Sequence, residues 1–158
     1  MKIDRSIAGN IDLEEFLSRP LLAHVASSSP LGARNSLLWF LWEEGALWFI
    51  LEEGFNTLQS RVREDPRVAV GLADFDPARG FLEHVSIRGR ASVEDWDDAR
   101  ASRLLRRYYR RLEGYADTPA TPGEKVTGRL PMTFLKVVPE SVVIRDHTYR
   151  DNVVKRTR

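Results

Sequence analysis

The spacing of apolar and polar residues along the 158-residue chain changes several times, and each change marks an element. "IDLEEFLSRP" reads as a short first helix: Asp12 is placed to cap it, Glu15 stands three positions on, and Pro20 lies past its end. A strand begins at Leu21 in "LLAHVASSS" and stops at "SPLGA", a turn rich in Ser, Pro and Gly. "RNSLLWFLWEEG" and "ALWFILEEG", joined through Glu43-Glu44-Gly45, predict a β-hairpin. Both runs are apolar at nearly every position, whereas a strand wetted on one face would alternate. Their expected surroundings are a barrel interior on one side and a helix or second subunit on the other.

"EEGFNTLQSRVREDPRVAV", residues 52 to 70, predicts a short helix between two strands. Asn56 can cap it and Gln59 suits the partner position of a capping box. Leu58 and Val62 lie one turn apart and can face the core, and Asp65-Pro66 ends the helix. "RVAVGLADFD" is the next strand and "DPARG" a turn. "FLEHVSIRGRASVED" follows as a strand with Val85 and Ile87 on one face and His84, Ser86 and Arg88 on the other. The longest helix is "DWDDARASRLLRRYYRRLEG": Asp95 caps it, Gly114 ends it, and Ala101, Leu104, Leu105, Tyr108 and Leu112 form its apolar stripe. A Pro/Gly loop, residues 118–131, separates it from "MTFLKVVPESVVIRD", a last strand interrupted at Pro139. Helix, three strands, short helix, two strands, long helix and final strand predict a mostly β protein with flanking helices. The architecture expected is a six-stranded antiparallel barrel within one domain, 1–158, with a core at 12–146 and a polar tail at 147–158.

Composition narrows the chemistry. Apolar residues make up 42% and charged residues 30%, and the formal net charge is +1, so bulk electrostatics demands neither nucleic acid nor a membrane. There are no cysteines, which excludes disulfides, thiolate nucleophiles and cysteine zinc sites, and is compatible with a cytoplasmic location. His24, His84 and His147 show no metal-ligand spacing. His24, in an apolar strand, is expected as a satisfied core residue. Trp42 and Trp48 are expected in the core or at a dimer interface. The arginines at 100, 103, 106, 107, 110 and 111 make one helix face basic; a solvated face is expected rather than a nucleic-acid surface. "SSS" at 27 to 29 reads as a turn.

Three words, "ARNSLLWFLWEEGALWFI", "SRVREDPRVAV" and "HVSIRGRASVED", in this order and at this spacing, resemble the pyridoxamine 5'-phosphate oxidase-like family, the FMN-binding split barrels. The resemblance covers roughly residues 12 to 146. It implies a homodimer with two flavin sites at the subunit interface and two-electron redox chemistry on a small-molecule substrate. Carried over by position, Arg34 matches an arginine before the second strand, His84 falls where oxidases of the family carry a flavin-reaching glutamine, and Arg90 matches a Gly-Arg pair. Two positions depart from the pattern. The family's Arg-Lys pair, which holds the flavin phosphate, lands on Thr57 and Leu58, and its flavin-contacting lysine lands on Trp39.

These departures leave a weaker anion seat. Free backbone N–H groups and the helix dipole attract anions. Asn56, Thr57 and Ser60 can donate hydrogen bonds and Arg61 can swing in from one turn on, but two charge-assisted bonds of about 1.5–3 kcal/mol each are lost. Arg34, Asn56, Thr57, Ser60 and Arg61 are therefore the candidates for the phosphate end, and Trp39, Ile50 and His84 for the ring end. Asn56 and Gln59 acting only as structural caps stands as the other reading. Two functions remain open: an FMN-dependent oxidoreductase, with a deazaflavin as the alternative cofactor, or a non-enzymatic flavin-, deazaflavin- or haem-binding protein or decayed site. Pyridoxamine phosphate is not expected as substrate, because nothing after Pro139 matches the Trp and Arg that true oxidases add.

Overall fold

Strict alternation of buried and exposed residues organises most of the sheet. A computed structural model describes residues 1–7, 11–52, 57–108 and 131–149. Among the described residues, eight strands form one sheet: β1 (Lys2–Ile7), β2 (Leu22–Ser27), β3 (Arg34–Trp39), β4 (Leu41–Glu43), β5 (Ala46–Glu52), β6 (Arg67–Asp76), β7 (Phe81–Glu94) and β8 (Met132–Asp146). Their order is β3-β2-β6-β7-β8-β5-β4, with β1 running parallel to β8. In β2, Ala23, Val25 and Ser27 face inward; Val68, Val70 and Leu72 do so in β6, and Val85 and Ile87 in β7. With Phe16, Phe40, Phe49 and Leu58 these residues fill the barrel, each large side chain contributing about 1.5–3 kcal/mol through burial.

The sheet carries two strands more than the six expected. "KIDRSI" forms β1 against β8, and the single apolar run at residues 34–43 divides into two strands. Phe40, fully buried, is the corner: β3 leaves it to pair with β2, and β4 to pair with β5 through Leu41↔Trp48 and Glu43↔Ala46. The hairpin is therefore β4–β5, and consecutive strands stand at opposite ends of the ladder. Between them the barrel is split. Residue Pro139 does not interrupt β8; the register shifts between Arg88 and Gly89 instead, a bulge that admits one extra residue.

Three helices pack on the sheet: α1 (Leu13–Ser18), α2 (Thr57–Glu64) and α3 (Asp98–Tyr108). The Asp12 side chain caps α1 by accepting from Glu15 N–H at 2.9 Å. Leu58 and Val62 bury the inner face of α2, as their spacing predicts. Asp97 rather than Asp95 caps α3, accepting from the Arg100 N–H at 3.0 Å. Ala101, Leu104 and Leu105 seat α3 on Ala46, Trp48 and Phe134. Accordingly β5 is covered on both faces, by the barrel and by a helix. Leu112, Gly114 and residues 118–130 of the expected loop lie outside the described residues.

Arg103 and Arg106 of α3 are exposed as expected, Arg100 and Arg107 are less solvated, and residues 110 and 111 lie outside the described residues. Arg100 and Arg103 pair with Glu43 at 3.0 and 2.8 Å, and Arg100 lies over the Trp48 ring. Arg107 stacks on Phe40 and donates to the carbonyls of Leu17 and Arg19, where burial lowers its pKa. No helix among the described residues is long and apolar enough to cross a membrane.

Candidate functional site

Cross-strand register places the candidate residues in rows. Ser27 on β2 pairs with Arg34 on β3, and directly opposed residues project to the same face with Cβ atoms about 5 Å apart. Parity puts Ser27 inward, and it is only 5% exposed although polar. Arg61 reaches it from α2: its Nε donates to Ser27 Oγ at 2.8 Å. Ser27 and Arg61 thus meet where one end of the barrel reaches α2, and Arg34 holds the register position opposite Ser27. Arginine offers the oxygens of an anion bidentate geometry.

The rest of the proposed phosphate end is partly accounted for. Thr57 opens α2, Ser60 is exposed on it, and Asn56 lies outside the described residues. Gln59 does not turn back toward the helix start: it is buried, and its Nε2 donates to Thr133 Oγ1 on β8 at 2.6 Å. Leu58, where a family lysine would fall, is fully buried in the barrel core.

The ring-end candidates divide between two places. Trp39 stacks on Tyr108 of α3, with ring centroids 5.1 Å apart and planes 10° from parallel. Ile50, half-buried, packs in the same cluster of β4, β5 and α3. Arg34 and Trp39 are five residues apart, so they lie on opposite faces of β3 and about 17 Å apart along it. His84 stands on the outer face of β7, paired with Ala73 and Arg145. Three strand steps separate it from β3, about 14 Å, so one protomer does not bring His84 to Trp39. Ser86 Oγ lies 3.3 Å from the His84 ring, while burial, then the charges of Arg145 and His147, lower its pKa. The imidazole is therefore neutral at pH 7, with one nitrogen to donate and one to accept.

His24 is not a core residue. Alternation along β2 turns it outward, where the Asn35 amide donates to its Nδ1 at 3.0 Å. The pair borders a shallow cavity of about 500 Å³ on the outer face, floored by Ala69 and Gly71 and rimmed by Ser86, Arg88 and Arg145. Leu22 and Leu37 beside it are 46% and 53% exposed. No group of three potential metal ligands occurs among the described residues.

Ser27 is the buried polar residue that sequence reasoning missed. Its triplet resembles a turn, yet the alternation Ala23, Val25, Ser27 continues inward and was the available signal.

The family model described as pyridoxamine 5'-phosphate oxidase matches residues 11–145. Among solved structures, an F420 reductase is 24% identical with a TM-score of 0.60, over 82% of this chain and 94% of that one. A conserved hypothetical protein from Mycobacterium tuberculosis is 20% identical with a TM-score of 0.68, over 91% and 89%. A FAD-binding protein from Mesorhizobium loti is 18% identical with a TM-score of 0.53, over 82% and 86%. These likenesses concern the fold. No curated protein matches the chain.

Proposed function

Because this chain belongs to the pyridoxamine 5'-phosphate oxidase family, we propose that it is a homodimeric oxidoreductase that binds FMN, or a deazaflavin in its place, between its subunits. The observation that carries the reading is the match of the family model over residues 11–145, and the contact of Arg61 with Ser27, next to the register position of Arg34, is the candidate phosphate end. Solved structures named F420 reductase and FAD-binding protein share the fold and support a flavin or deazaflavin class. The bound ring would supply the hydride chemistry, and the protein would bind, orient and shield it.

Each protomer would contribute differently to a ring site. One would offer Trp39 and Ile50, and its partner would present His84 across the interface. The three strand steps between β3 and β7, about 14 Å, favour this division. Leu22 and Leu37 are exposed on the same outer face, and apolar side chains of this size suit contact with a second copy. A neutral His84 could hydrogen-bond a ring carbonyl or nitrogen without adding charge.

The second reading is a binding protein without turnover, favoured by Leu58, whose burial leaves no cation where family members place one. Titration of the apoprotein with FMN and with a deazaflavin, followed by fluorescence, tests both. Binding of either, with bleaching on reduction and oxidation by an added acceptor, supports the enzyme. Tight binding without reoxidation by any acceptor favours the carrier. A protein that ignores both ligands overturns the cofactor reading.

A further inference from the structure

We propose that the shallow cavity on the outer face of the sheet binds a small organic dianion, whose two acidic groups are held by Arg88 of β7 and Arg145 of β8. The site goes beyond the flavin reading and needs no flavin to be tested.

Its floor is uncommon for a strand surface. Cross-strand register sets Ala26, Ala69, Arg88 and Ser141 in one row, and His24, Gly71, Ser86 and Val143 in the next. Alanine and glycine are poor strand formers, and a glycine inside a strand often marks a place where a ligand or another backbone comes close. Small side chains here leave about 500 Å³ open on the outer face. That is room for a small organic molecule rather than for a lone ion.

The lining is cationic and unbalanced. No carboxylate lines the cavity among the described residues, and the side chains of Arg88 and Arg145 make no hydrogen bond or ion pair with a described residue. Arg19, Arg67, Arg79, Arg100 and Arg103, by contrast, are each matched by an acid. Arg145 stands opposite His84, a base. Guanidinium groups with unused forks attract carboxylate or phosphate and bind it bidentately. Register gives their spacing too. Arg88 pairs with Ser141, and Arg145 lies four residues further along β8, about 13 Å on at 3.3 Å per residue. The two forks therefore border the cavity from different ends and suit a ligand with an acid at each end.

Neutral donors stand between them. The Asn35 amide donates to His24 Nδ1 at 3.0 Å, and an imidazole that accepts at Nδ1 carries its proton on Nε2 and donates there. Ser86 and Ser141 add hydroxyls that donate or accept. A second copy presenting this same lining would bring arginine toward arginine, so the charge calls for an anion rather than for self-contact alone.

The test follows thermal unfolding and calorimetry of the full chain with succinate, glutarate and adipate. Acetate and inorganic phosphate serve as single anions, and sodium chloride controls for ionic strength. At least one diacid is expected to raise the melting temperature above the chloride control and to bind about tenfold or more tighter than acetate. Arg88→Gln and Arg145→Gln should each weaken that diacid about tenfold, the loss of one charge-assisted bond. Arg106→Gln, which removes an exposed charge on α3, should bind as the wild type does. Diacids that act no differently from chloride overturn the site, and equal weakening by Arg106→Gln, which would mean bulk charge alone, does the same. A diacid that binds Arg88→Gln and Arg145→Gln as tightly as the wild type lies elsewhere, and the assignment fails. Phosphate binding as tightly as the best diacid overturns the two-ended ligand. If either substitution changes the sedimentation mass while no diacid binds, the arginines serve contact between copies and the proposal fails. Diacid binding to protein free of flavin supports the site whatever becomes of the flavin reading.

Discussion

Gly89 shows how the absence of one side chain sets the path of two strands. A Cβ there would lie 2.3 Å from the Val138 carbonyl oxygen, closer than atoms can approach, so the β7–β8 bulge depends on glycine. Gly89→Ala is expected to cost about 3 kcal/mol in a denaturant titration, as overpacking and displaced backbone do; a loss below about 0.5 kcal/mol would show that β8 shifts freely. The Gly-Arg word at 89–90 was legible as a family feature, and the carbonyl contact is its physical cause. His84 carries a second residue-scale prediction. Burial, Arg145 and His147 lower its pKa in the native state, while the unfolded chain keeps the ordinary value of about 6.5. The unfolded state therefore takes up its proton first as the medium acidifies. Stability from this group is complete above about pH 6.5 and falls below it until the folded imidazole titrates. His84→Gln should flatten that part of the profile. Unfolding free energies of both proteins between pH 7.5 and 5 check it, and parallel curves would refute it.

Elements were legible where a periodic pattern met a chemical stop signal. Asp12 for α1 and Asp65-Pro66 for α2 fix their ends as read, and Leu58 and Val62 are buried as their spacing requires. At Phe40 the chain gives no such signal. The run through it holds no Gly or Pro, so a corner looks like the middle of a strand. What makes the corner is tertiary: the Tyr108 hydroxyl accepts from Phe40 N–H at 3.1 Å and lies 2.7 Å from the Leu21 carbonyl, replacing ladder bonds at the split. Tyr108→Phe should therefore cost about 1–3 kcal/mol, because it leaves a buried N–H unpaired, and near-neutral stability would mean that water takes the place of the hydroxyl. Helix α3 offers a simpler case. Asp97→Ala removes its cap and should cost about 1 kcal/mol by chemical denaturation, whereas Asp95→Ala should cost little. Strand β1 was illegible for another reason: its partner β8 is more than a hundred residues away, and nothing local in "KIDRSI" points to it.

For the molecule as a whole, the barrel class could be read from the spacing of the strands, though not their number, because hydrophobic alternation is a property of the chain itself. The candidate site could be read only in part. Arg61 reaches Ser27, the register partner of Arg34, and the burial of Ser27 depends on which strand lies beside it. Trp39 is engaged by Tyr108 across the fold, a contact no local pattern encodes. Assembly is a question at this scale too. If the outer face meets a second copy, Leu37→Glu should shift the protein toward monomer in sedimentation at micromolar concentration, and lower flavin affinity with it. An unchanged mass, or a wild type that is monomeric, would remove that face from consideration. The split itself has a kinetic consequence. Strands β3 and β4 close the barrel through a corner and one phenol oxygen rather than through a ladder, so freeing α3 should release Phe40 while the paired strands stay intact. Deuterium should then enter the Phe40 amide at the rate at which α3 lifts away, well ahead of the central amides of β6 and β7.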